Sequence, residues 1–229
     1  LLTLVKETQT LAEIVNQLKI KVCGLRHAQN MAEIGRLPID FMGFIFYPRS
    51  PRYAEGALDK LALEALPTNI QTVAVFVDED VDKALGLLKK YDFKIAQLHG
   101  NESPDYCSAI KRAGYRVWKV LSVDENTDFD ALFPFEDVVD AFLFDTKSPL
   151  HGGTGQRFDW NKLKEYKGKL PVFLSGGIGP EDVGVVLKVA KKHAFIDGID
   201  LNSRFERAPG IKDVDKLHTF VEAVKSELV

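Results

Sequence analysis

Several short stretches put chemically capable side chains beside glycine or proline at the ends of apolar runs. Cys23 closes KVCGLR, Arg49 and Arg52 sit in YPRSPRY, His99 closes QLHG, and Asp145 ends the run AFLFD. Further along, SGGIGPEDV supplies Gly176 and Gly177, and DLNSR supplies Asp200, Asn202 and Ser203. A thiol flanked by cations can accept a proton; a cysteine sealed in a core is only a small hydrophobe. A carboxyl group at the edge of a core, partly out of water, is the complementary proton donor. The alternative for Asp145 is a structural tie to Lys147 or to loop N–H groups.

The remaining groups suggest what those two could act on. Arginine grips a carboxylate through paired hydrogen bonds, and the prolines of YPRSPRY hold Arg49 and Arg52 in a stiff loop. His99 suits either a substrate contact or a satisfied core position. Gly176 and Gly177 expose N–H groups just before a helix start at Pro180, and Asn202 and Ser203 add side-chain donors. Such N–H groups and a helix N-terminus favour an anion, phosphate above all. Five scattered histidines show no HxH or HExxH spacing and there is no CxxC, so no metal is expected. Neither a GxGxxG nor a Walker sequence points to a nucleotide. A thiol base, a carboxylic acid, a guanidinium and a phosphate grip are parts for proton transfer on a sugar phosphate with a second anionic group.

These residues need a frame that brings them together. β-branched or aromatic runs recur at KIKVCG, FMGFIFY, QTVAVFV, KIAQLHG, YRVWKVL, AFLFDTK, PVFLSGG and AFIDGIDL. Most are followed by helix-periodic segments such as VDKALGLLKKY, PDYCSAIKRAG, FDWNKLKEY and PEDVGVVLKVAKKH, the signal after YRVWKVL being weak. Strict strand–helix alternation predicts a parallel sheet, and eight units close a (β/α)8 TIM barrel rather than an open doubly wound sheet. In a barrel, the C-terminal strand ends carry the site. That places Cys23, Arg49, Arg52, Asp78, His99, Asp145, Ser175 and Asp200 around one mouth, and leaves Cys107 packing on an outer helix.

Composition narrows the class further. The 229 residues are 45% hydrophobic with a formal net charge of −3, which supports a full core and gives no nucleic-acid signal. No apolar segment reaches the roughly 18 residues that span a bilayer. The opening LLTLVKETQTLAEIVNQLKI lacks the basic start and apolar centre of a secretory signal. With two cysteines, a disulfide framework is not expected and the cytoplasm is the default compartment. Leu4, Leu11, Ile14, Val15 and Leu18 share one helical stripe, which predicts a helical extension over 1–18 before a single barrel domain over 19–229.

KVCGLR, GFIFYPRSPRY, VAVFVDE, QLHGNE, FLFDTKSPLHGGTGQRFDW, LSGGIGPEDV and DLNSRFERAPGIKD together resemble phosphoribosylanthranilate isomerase of tryptophan biosynthesis. The matching blocks run in order from about Lys21 to the end. The resemblance implies a cofactor-free Amadori rearrangement of N-(5-phosphoribosyl)anthranilate. It implies Asp145 as general acid, Cys23 as general base, and Arg52 on the anthranilate carboxylate. Gly176, Gly177, Asn202 and Ser203 would bind phosphate, with His99 as a substrate contact and Asp200 bordering the reacting centre. The glycines of GGTG would let that loop close over the substrate. A monomer and a homodimer are both compatible with it. Two alternatives stand beside this reading: a barrel that binds phosphosugars without turnover, and another sugar-phosphate isomerase of the same fold. One departure is visible: the family's eighth strand ends close to DVSSGVE, whereas this chain reads DLNSRFE, with Arg204 in place of a glycine. A positive φ there would strain it.

Overall fold

The computed structural model describes residues 18–146 and 158–226. Eight parallel strands close into a barrel in sequence order. They are β1 (Lys19–Cys23), β2 (Phe41–Ile45), β3 (Gln71–Phe76), β4 (Ile95–Leu98), β5 (Arg116–Val123), β6 (Ala141–Thr146), β7 (Val172–Leu174) and β8 (Ile196–Leu201). The seam between β8 and β1 pairs Ile20 with Ile199 and Lys21 with Asp200. All eight apolar runs of the sequence therefore form strands, and the expected TIM barrel is the fold. The helix expected over 1–18 and the GGTG loop lie outside the described residues.

Around the barrel run α1 (Ala28–Ile34), α2 (Lys60–Glu64), α3 (Val81–Lys90), α4 (Pro104–Arg112), α5 (Val183–Lys192) and α6 (Val214–Ser226). Their starts follow from capping chemistry. Ser103 accepts the Tyr106 N–H ahead of Pro104, and Asp80 accepts those of Asp82 and Lys83, which satisfies N–H groups that a helix start leaves free. After β5 and β6 the connections are 3-10 turns, Phe129–Phe135 and Trp160–Glu165. FDWNKLKEY is thus not the α-helix its pattern suggested. Within the turn Trp160–Glu165 the buried residues, Trp160 and Leu163, are three apart, and Tyr166 follows at the same spacing, as Phe129 and Leu132 are in the preceding turn. Three-residue spacing eclipses side chains in a 3-10 turn and drifts around an α-helix. Pro134 also bars an α-helical continuation of the first turn.

Strand alternation sorts side chains into two layers. Ile20, Val22, Phe142 and Phe144 face the helices and belong to the larger outer core. Phe41, Val73, Ile95, Trp118, Val120, Ala141, Leu143 and Phe173 fill the barrel itself. Trp118 stacks on Phe173 with centroids 4.4 Å apart, and Phe41 meets both edge-on. This aromatic plug is the floor of the site. One step further along, the inward positions of β1, β4, β6, β7 and β8 turn polar: Cys23, Gln97, Asp145, Ser175 and Asp200 line the space above the plug.

Trp118→Ala is expected to destabilise the fold by about 3–5 kcal/mol, the usual cost of emptying a large buried aromatic. Urea unfolding checks this, and a loss under about 1 kcal/mol would mean that the plug does not support the barrel.

Candidate active site

A cavity of about 330 Å³ opens at the C-terminal ends of the strands. Cys23, Arg49, Arg52, His99, Asp145, Gly176, Gly177, Asp200, Asn202 and Ser203 all line it, so the fold gathers every site residue that the sequence singled out. Asp78 is the exception among the polar strand ends. It accepts the Asn101 N–H at 2.5 Å and braces the loop after β4 instead of facing the cavity.

Cys23 owes its setting to β1 and β2. Lys21 and Cys23 are two residues apart, so both point inward, and Cys23 sits opposite Gly43 in the register. A Cβ at Gly43 would lie 2.7 Å from the Cys23 sulfur and 3.0 Å from Lys21 Nζ; only a missing side chain leaves room for the pair. Lys21 is fully buried and donates to Asp200 Oδ1 at 2.9 Å across the β8–β1 seam. Burial pushes the Cys23 thiol above its ordinary pKa, and the Lys21 charge opposes that rise while Asp200 adds to it. Burial would lower Lys21 itself, but Asp200 and then Cys23 outweigh it and leave the ammonium more firmly protonated. Asp200 is raised, chiefly by burial, against the pull of Lys21.

Asp145 stands on another wall, near the end of β6. It shares its inward face with Leu143, while Phe142 and Phe144 lie on the opposite face. One oxygen accepts its neighbour's Thr146 N–H at 2.9 Å. The other lies 3.4 Å from His99 Nε2 but is not aligned as a hydrogen bond, since that nitrogen is buried without one. Lys119 steadies the His99 loop from outside, donating to Gly100 O at 2.7 Å and Glu102 at 2.8 Å.

The far end of the cavity is built for an anion. Gly176 and Gly177 both take positive φ, 86° and 68°, which turns their N–H groups in a way a side-chain-bearing residue rarely permits. A 3-10 turn, Pro180–Asp182, then leads into α5. Across from it, Asn202 Oδ1 accepts from Lys212 Nζ at 2.7 Å, so its amide N–H groups are what it offers a ligand. Arg204 carries none of the strain expected of it. Asp78 and Asp92 are the non-glycine residues with positive φ among those described. Arg204 lines the cavity and pairs with Glu181 at its rim.

Four contributors escaped the sequence reading: Lys21, Gln97, Glu206 and Lys212. Period-2 alternation could have found Lys21, two before Cys23, and Gln97, two before His99. Gln97 is buried with its side-chain oxygen unpartnered and lines the cavity, ready for a ligand donor. Glu206 and Lys212 carry no local signal. They meet across a hairpin of β9 (Glu206–Ala208) and β10 (Ile211–Lys212), where Lys212 donates to Glu206 at 2.8 Å and Arg52 binds the same carboxylate.

Comparison with known proteins agrees with this geometry. A family model described as N-(5'-phosphoribosyl)anthranilate (PRA) isomerase matches residues 20–223. The N-(5'-phosphoribosyl)anthranilate isomerase of Parabacteroides distasonis is 41% identical over 90% of this chain and 92% of its own. That of Phocaeicola vulgatus is 40% identical, over 91% and 98%. Among solved structures, the Thermus thermophilus isomerase superposes with a TM-score of 0.78 at 28% identity, covering 92% of this chain and all of that one. A second isomerase structure, in complex with reduced 1-(o-carboxyphenylamino)-1-deoxyribulose 5-phosphate, superposes with a TM-score of 0.74 at 26% identity. It covers 91% of this chain and 98% of its own.

Of the two lysines that oppose the rise of the Cys23 thiol, Lys21 acts more strongly than Lys212. Lys21→Met/Asp200→Asn removes both members of the pair and leaves no unpaired charge behind. Since Lys21 acts on the thiol more strongly than Asp200 does, alkylation of Cys23 by iodoacetamide should shift to higher pH in this variant. At pH 8 it should slow by about tenfold, the effect of one pKa unit. Mass spectrometry of the Cys23 peptide measures the rate, and an unchanged profile would remove Lys21 from control of this thiol.

Proposed function

Because the chain belongs to the phosphoribosylanthranilate isomerase family, we propose that Cys23 and Asp145 are the general base and general acid of its reaction. The chain's activity is that of the family: conversion of N-(5'-phosphoribosyl)anthranilate to 1-(o-carboxyphenylamino)-1-deoxyribulose 5-phosphate in tryptophan biosynthesis. The observation that carries the assignment is the placement of a thiol and a carboxyl group on separate walls of one cavity, which Gly176, Gly177, Asn202 and Ser203 of loops seven and eight also line.

The chemistry follows from that placement. Asp145 protonates the furanose ring oxygen, and the C1′–O bond breaks to give a protonated Schiff base with the anthranilate nitrogen. Cys23, as thiolate, removes the proton from C2′, and its electron pair forms the C1′–C2′ double bond of an enolamine. Tautomerisation returns a proton to C1′, releases one from the C2′ hydroxyl and leaves the ketone. Acid and base on opposite sides let the ring open without the two groups neutralising each other.

Gly176, Gly177, Asn202 and Ser203 hold the phosphate, which fixes the ribose chain across the cavity. Arg52 takes the anthranilate carboxylate. His99, beside Asp145, and Asp200, tied to Lys21, border the reacting carbons. Lys21 serves the base as a positioning residue, because a thiol in so dry a site ionises only with a cation beside it.

Cys23→Ser and Asp145→Asn should each lower turnover of freshly prepared substrate by about two to four orders of magnitude, the scale of one positioned acid or base. Steady-state assay of the purified chain checks both. Near-normal turnover in either variant would strip that residue of its role, and both variants should still bind reduced product.

A further inference from the structure

Arg52 is not free to meet a substrate in any orientation. Its side chain passes over Gly24, where an added Cβ would lie 2.7 Å from Arg52 Cδ and where φ is 78°. Beyond that point Glu206 captures it. Arg52 Nε donates to Glu206 Oε1 at 2.9 Å and to Oε2 at 3.0 Å, and Nη2 donates to Oε2 at 2.6 Å. A guanidinium presents two such forks, one along Nε and Nη2, the other across Nη1 and Nη2. Glu206 occupies the first. The second remains for a ligand, and Arg52 lines the cavity.

The carboxylate that performs this capture is itself fixed. Glu206 accepts from Lys212 Nζ at 2.8 Å and from Gly210 N at 3.0 Å. Lys212 is tied in turn to Asn202 Oδ1 at 2.7 Å, and Asn30 on α1 clamps its backbone from both sides, at 2.7 and 3.1 Å. Glu206 and Lys212 side chains are 5% and 0% exposed, so water does not compete for these bonds. A flexible arginine held in this way loses little further freedom when it binds. Its remaining charge is offset as well. With Lys212 and Arg52 positive and Glu206 negative, the cluster carries one uncompensated positive charge, the complement of a single carboxylate.

We propose that Glu206 is a positioning residue for carboxylate specificity: by filling the side-on fork of Arg52 it aims the end-on fork at the aromatic carboxylate of the substrate. The proposal rests on the assignment of Arg52 to that carboxylate. Without Glu206 the arginine would keep its charge but lose its aim. The loss would then fall on ligands bearing the carboxylate and spare those without it.

The test compares two probes: reduced 1-(o-carboxyphenylamino)-1-deoxyribulose 5-phosphate and the same compound without the ring carboxylate. Their Kd values are measured by calorimetry for the wild type, Arg52→Ala, Glu206→Gln and Glu206→Asp, the last serving where Glu206→Gln does not fold. The wild type should prefer the carboxylate probe. Arg52→Ala should abolish the preference, and either Glu206 variant should cut it by about tenfold or more, the scale of one charge-assisted hydrogen bond. Equal weakening of both probes in the Glu206 variants would make Glu206 merely structural and overturn the proposal. A preference lost in Arg52→Ala but intact in the Glu206 variants would overturn it while leaving Arg52 in place. A preference intact in Arg52→Ala would remove Arg52, and the proposal with it.

Discussion

The ion pair of Lys21 and Asp200 sits where the barrel closes. The two residues are register partners across β1 and β8, so the hydrogen bond between them spans the seam on which the closed architecture depends. Both are buried. Taking two such charges out of water costs several kcal/mol per ion, and replacing the pair by hydrophobic side chains would often be as stable. Stability alone therefore does not account for it. What it supplies is a firmly protonated cation at the root of the site, in a place where a thiol on the next inward position can use it.

That cation explains much of the local arrangement. Gly43 stands opposite Cys23 because any side chain there would occupy the space of the thiol and the lysine together. The aromatic plug of Phe41, Trp118 and Phe173 seals the barrel below, which keeps the field of Lys21 from being screened by water. A second ionic chain, Arg52–Glu206–Lys212, shares no hydrogen bond with the first, though the Lys212 charge also reaches Cys23 and Asp200. On the proposed assignment, one group of charges serves the bond to be changed and the other the end of the molecule to be recognised. Each has its own buried lysine.

How much of this could be read in the chain depends on the length scale of the signal. The barrel was legible because each apolar run and each cap, such as Ser103 before Pro104, is a local feature. Cys23, Asp145, His99 and the glycine pair were legible because they punctuate strand ends. Lys21 was within reach of the same alternation but was passed over, since a lysine in a short strand reads as an exposed position until its neighbours are known. Glu206 and Lys212 were beyond reach. Their meaning arises from a hairpin that brings together residues six apart in sequence and from Arg52, 154 residues away. The α-helix expected after β6 failed for a different reason: spacing of three and spacing of four are hard to tell apart in a segment this short.

The raised thiol of Cys23 looks at first like an obstacle to the role of base proposed for it, and it is better understood as a balance. A higher pKa makes a thiolate a stronger acceptor for a carbon-bound proton but leaves less of it ionised at neutral pH. Burial moves Cys23 in the first direction, and Lys21 restrains the movement. Asp200 sets how much restraint is applied, because it shares the lysine's charge with the sulfur. When substrate enters and displaces water, burial of the thiol deepens and the lysine's influence grows with it, since both depend on the same low polarity. In the proposed mechanism, the pair at the seam thus keeps Cys23 usable as base in the dry site where ring opening leaves a reactive Schiff base that water would otherwise hydrolyse.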